Sequence, residues 1–176
     1  MPDRYEWDDY DVGRADVTIP AFGWSIPVLM FPEEGRQVTA AMEARLADVL
    51  ALTTEDRDRL QALLWDYMDF LFTVADFGVE QQAGESSVEA HRRFFEIETP
   101  AATLAQTVAR GIHIFEEDDA LTHRLAVIKV EDPGGEILMV IVRDGRIYDV
   151  VEDGAVLSGY DVDPVAPSEQ RKALLK

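Results

Sequence analysis

The chain has no cysteine. That excludes disulfides, thiolate nucleophiles and cysteine-ligated metals, and it fits a reducing compartment. It also lacks a long apolar run. The longest, residues 137–142, is six residues, against the roughly 20 that a membrane-spanning helix needs. Residues 1–7 have neither the basic start nor the apolar stretch of a secretion signal, so a cytoplasmic location is expected. Basic residues are scarce: 16 Lys and Arg stand against 35 Asp and Glu, a formal net charge of −19 over 176 residues. Phosphates would be repelled, so neither nucleic acid nor an anionic membrane is an expected partner.

Catalytic signatures are missing too. There are three histidines, His91, His113 and His123, and none has a second histidine at the spacing of a zinc helix. Asp132-Pro133-Gly134-Gly135 lacks the lysine and helix of a phosphate loop, and no Gly-x-Ser-x-Gly occurs. The alternating acids of a calcium loop are absent as well. Asp66 and Asp69 share a helix face at i, i+3 with Asp76 further on, which reads as a solvated edge. No catalytic residue, cofactor or metal ligand is therefore expected.

What is present is material for a core. Apolar residues make up 47% of the chain and aromatics 9%, so the acid is spread through a globular sequence and does not form a disordered tail. The length fits one domain over residues 1–176. Residues 1–14 read as an acidic arm with interleaved rings, Tyr5, Trp7 and Tyr10. Strands are expected at 16–19 and 24–31, with Gly23 in the turn. Pro27 predicts an edge or a bulge there, because it cannot donate to a ladder.

Helical spacing runs over 37–52, then more strongly from Thr53 or Thr54 to a stop near Gly78. Ser86 and Glu89 have capping-box spacing. Thr99-Pro100 predicts a further helix ending near Gly111. The period then changes. Strands are expected at 112–115, 124–130, 136–143 and 147–151, with Asp144-Gly145 as a hairpin turn and a short last strand through Val156 and Leu157. Residues 137–142 are apolar at every position, as in a strand covered on both faces. Residues 161–176 read as a tail in which Ser168 caps a short helix. The sum is an α+β domain: a mainly antiparallel sheet, an N-terminal hairpin plus a C-terminal meander, packed on two to four helices.

Excess charge of this size opposes folding through self-repulsion, so a basic protein partner is expected. The candidate partner-binding residues are the run Glu116, Glu117, Asp118 and Asp119, extended by Glu131 and Asp132, with Asp144 and Asp149 on nearby turns and strand ends. Trp7 and Tyr10 join them, since such rings are enriched at interface hot spots.

The segment 16–28, Asp16-Val17-Thr18-Ile19-Pro20-Ala21-Phe22-Gly23-Trp24-Ser25-Ile26-Pro27-Val28, resembles the opening of a bacterial domain family associated with polymorphic-toxin immunity loci. A helix like 54–77 and late strands like 136–151 follow in the same order, so the resemblance covers residues 12–160. That family often has a Glu-His-Gly turn before its penultimate strand, where this chain has Asp132-Pro133-Gly134-Gly135-Glu136. The resemblance implies a non-enzymatic protein that neutralises a toxin by binding it. Two other readings stay open: an acidic accessory protein whose charge serves solubility, and a carboxylate-based enzyme using Asp or Glu with His113.

Overall fold

Hydroxyl caps start the helices. In the computed structural model, which describes residues 4–162 and 165–175, Thr39 accepts the Met42 N–H at 3.1 Å and opens α1 (Ala40–Leu50). Thr53 opens α2 (Thr54–Val74) with a reciprocal box, its own N–H donating to Asp56 Oδ2 at 2.9 Å. Asp56 is fully buried because it does a second job. It accepts the Ile147 N–H at 3.2 Å and so fixes the helix start to the sheet. Ser86 and Glu89 form the expected box before α3 (Ser87–Phe95). Thr99 caps α4 (Pro100–Gln106) with proline in the first turn.

Two helix ends differ from expectation. α2 stops at Val74, before Gly78. α4 stops at Gln106, and the chain from Val108 is already strand. Gly111 is thus a strand residue, placed where two backbones approach: a Cβ there would lie 3.1 Å from the Pro27 carbonyl oxygen.

Among the described residues, seven strands form one sheet in sequence order: β1 (Glu6–Trp7), β2 (Gly13–Ile19), β3 (Trp24–Phe31), β4 (Val108–Phe115), β5 (Leu125–Glu131), β6 (Ile137–Arg143) and β7 (Arg146–Glu152). Every neighbouring pair is antiparallel except β3 and β4, which are parallel and joined through α1–α4. The fold is α+β, with the N-terminal hairpin and the C-terminal meander. The arm expected over 1–14 is in part sheet, since Glu6 pairs with Arg14 and Trp7 with Gly13.

Pro27 is not on an edge, because β3 lies between β2 and β4. Its carbonyl faces Gly111 of β4. Its nitrogen faces the same side, and the parallel ladder starts one residue later, at Val28. The missing donor therefore interrupts nothing.

One sheet face carries the main core. Ile19, Val28, Met30, Ile112, Ile128 and Val140 meet Met42 and Leu46 of α1 and Leu60, Leu64, Met68 and Phe72 of α2. The other face carries a smaller cluster of Leu125, Val127, Met139, Ile141 and Val151 under Leu157. β6 thus buries alternate residues on opposite faces, which explains its unbroken apolar run. The strand expected through Val156 and Leu157 is instead a 3₁₀ turn (Leu157–Tyr160) that lays Leu157 on the second face. The expected tail ends in a fifth helix, α5 (Pro167–Leu174). Ser168 lies inside it, not at its cap, and its hydroxyl donates to Asp149.

Candidate functional site

β4 ends at Phe115, and the chain tightens into a 3₁₀ turn (Glu116–Ala120) carrying all four acids of the predicted run. From β7 the chain turns at Gly154 (φ 89°) and crosses back over the second face, where Asp161 accepts the His123 N–H at 2.7 Å. Between the turn and this crossing segment lies a cleft of ≈ 450 Å³. Its walls include Phe115, Leu121, Val127, Met139 and Leu157, and its polar groups include Glu117, Asp118 and Lys129.

The charges in this cleft are held differently. Lys129 is neutralised by an ion pair with Asp153. Asp118 is buried, and that burial pushes its carboxyl up to about 6. Arg45 opposes the rise and Glu117 adds to it. His113 lies on the same sheet face, its ring 5.4 Å from Phe31. Burial, with Lys129 nearby, holds its pKa below the usual histidine value. The cleft therefore offers an apolar floor and a carboxyl that changes charge close to neutrality.

The other histidines are structural contacts. His91 is buried and stacked on Phe72 at 5.2 Å. His123 Nδ1 meets Asp144 Oδ2 at 2.6 Å, but its Nε2 faces Arg143. Among the described residues, no three His, Asp or Glu side chains converge as a metal site, and no helix is long and apolar enough to cross a membrane.

The acidic run is not a uniformly solvated surface. Glu116 accepts the Glu33 N–H at 2.6 Å. Asp119 accepts the Thr39 hydroxyl at 2.7 Å and pairs with the buried Arg45. Asp118 is buried, which leaves Glu117 as the acid turned to water without such a bond. One backbone N–H, one hydroxyl and one buried guanidinium, all distant in sequence, hold Glu116 and Asp119.

Glu131 and Asp132 do not join this run. They sit at the far end of β5, about 20 Å away along a seven-residue strand. Glu131 pairs with Arg110, and Asp132 is buried in the β5–β6 turn. Asp144 accepts the Arg124 N–H at 3.0 Å in the β6–β7 hairpin. That hairpin has positive φ at both Asp144 (49°) and Gly145 (77°), as its sequence predicts. Asp149 is fully buried. Trp7 packs edge-on to Tyr5 in the β1 edge, whereas Tyr10 is 89% exposed.

Comparison with protein-family models, curated proteins and solved structures found no match.

Proposed function

We propose that the chain works by binding a basic protein, in the manner of an immunity protein that masks a cationic toxin. The observation that supports this is how the charge is distributed. Many of the scarce cations are held by acids of the chain itself: Arg36 by Asp11, Arg93 by Glu85, Arg124 by Asp48, Arg146 by Glu55 and Asp56, and Lys172 by Asp66 and Glu169. The excess acid is left facing water. Glu33, Glu34 and Glu117 are exposed and make no ion pair among the described residues. The Glu33 N–H is bonded to Glu116, which brings the two segments that carry them side by side.

Proteins that grip a phosphate backbone are basic, and an acidic surface attracts them over distance. Steering of this kind raises association rates and fades as salt screens it. On this reading the protein works in the cytoplasm and has no nucleic-acid partner.

The test is capture from a lysate of the native host on the immobilised chain at low salt, followed by a salt gradient. The expected result is a stoichiometric basic protein released steeply as salt rises. Changing Glu33, Glu34 and Glu117 together to Gln should slow its association about tenfold at low salt and flatten the salt dependence. Retention of no basic protein, or retention indifferent to salt, would sink the proposal.

A further inference from the structure

A second cleft, ≈ 410 Å³, opens on the helix-covered side between the C-terminal half of α2 and the β5–β6 turn. Its lining divides by chemistry. Leu71, Phe77 and Ile137 contribute apolar wall, while Asp132, Glu136 and Glu152 contribute carboxylates.

Asp132 is the informative residue. Its main chain is committed to the turn, the N–H donating to Glu136 O at 2.9 Å and the carbonyl accepting from Gly135 at 3.0 Å. Its Oδ1 accepts the Glu136 N–H at 2.9 Å. Its Oδ2 is covered and has no hydrogen-bond partner among the described residues, in a side chain only 3% exposed. A buried carboxylate oxygen without a donor is costly, and burial raises the pKa of this carboxyl.

Two cations that touch residues of this lining are engaged elsewhere. Lys129 holds Asp153, and Arg171 bonds the Val150 carbonyl at 3.0 Å and Asp149 at 3.4 Å. Backbone N–H groups of Gly134, Gly135 and Glu136 act on the Asp132 carboxyl, but no cation among the described residues pairs with it, and the rim acids Glu136 and Glu152 are exposed without ion pairs among the described residues.

We infer that this cleft seats a lysine or arginine side chain of the basic partner, its charged head at Asp132 and its aliphatic stem along Leu71 and Ile137. This assignment rests on the proposal that a basic protein is bound. The match is chemical. A long basic side chain has an apolar stem and a donor-only head. The cleft offers an apolar wall and an acceptor that lacks a donor. Glu136 and Glu152 at the rim draw such a head inward, and the Phe77 ring, 39% exposed, adds an aromatic face beside it.

The experiment is a ¹H–¹⁵N NMR titration of the full chain with N-acetyl-arginine methylamide and N-acetyl-lysine methylamide, and with N-acetyl-norleucine methylamide as the uncharged counterpart. Saturable shifts at the amides of 134–138 and 152–153, with a Kd on the order of 1 mM, are expected for the two cations and not for norleucine. Asp132→Asn keeps an acceptor for the Glu136 N–H and should weaken the cations at least fivefold. Glu136→Gln with Glu152→Gln leaves the turn acceptor untouched and should weaken them about threefold, so the result stands even if the first variant misfolds. Equal shifts from norleucine would mean an apolar pocket only and would overturn the inference. Cation shifts scattered over the whole acidic surface, or none, would also overturn it.

The two proposals fail separately. A captured partner with a silent cleft leaves the binding function standing without this site. A responsive cleft with no captured partner leaves a site for small organic cations and removes the partner.

Discussion

Asp149 on β7 accepts both the backbone N–H and the hydroxyl of Ser168 on α5, at 3.0 and 2.7 Å, and both residues are buried. This contact ties the last helix to the sheet. Asp149→Ala would leave the two Ser168 donors without their acceptor and Arg171 with the Val150 carbonyl but no carboxylate. A loss of about 3 kcal/mol is expected, with Ser168→Ala costing about 1. Urea denaturation measures both. Hydrogen exchange should show the loss of protection concentrated in α5. Wild-type protection there in Asp149→Ala would mean the helix is held by other contacts.

Arg45 and Asp119 predict an asymmetry. The guanidinium is 2% exposed and its Nε and Nη1 have no partner among the described residues, whereas the Asp119 side chain is 25% exposed. Asp119→Ala should cost about 3 kcal/mol, because it removes the carboxylate bonded to a buried guanidinium. Arg45→Met should stay within about 1 kcal/mol, because Asp119 keeps the Thr39 hydroxyl and water. Equal costs for the two variants would contradict this account.

Asp118 predicts a pH dependence. Its folded carboxyl titrates at about 6, above the roughly 3.9 of an unfolded aspartate. The folded chain therefore keeps a proton that the unfolded chain has released. Stability from this group falls as pH rises from about 4 to 6 and levels off above. Asp118→Asn removes the effect. It should match the wild type near pH 4 and exceed it by about 2 kcal/mol at pH 7.5. Denaturation midpoints at the two pH values give the difference, and carboxyl ¹³C shifts give the titration directly.

Gly111→Ala tests the joint between β3 and β4. The added methyl would meet the Pro27 carbonyl at 3.1 Å, and backbone on both sides limits relief. A loss of about 2 kcal/mol is expected, read as a lower thermal midpoint, and a neutral result would show that the strands can part there.

The fold was legible where sequence signals are local. Thr53, Ser86 and Thr99 mark helix starts within one turn, and Asp144-Gly145 demands its hairpin through positive φ. Gly111 and Pro27 were misleading because each answers to the other across two strands distant in sequence. The acidic run was visible as a run. Its engagement was not, because Glu33, which bonds Glu116, and Thr39 and Arg45, which bond Asp119, lie 83, 80 and 74 residues away. Asp132 reads as turn chemistry from sequence, and only the folded packing around that turn shows its Oδ2 buried without a donor among the described residues.

The parallel joint also orders events in time. A ribosome delivers β1–β3 first, yet β4, their neighbour, emerges only after four helices. The nascent hairpin therefore waits with the outer side of β3 unpaired, the situation in which strands recruit strangers. Pro27 faces that side. In the finished sheet its missing N–H has no consequence, but during synthesis it breaks the row of donors that another chain would need.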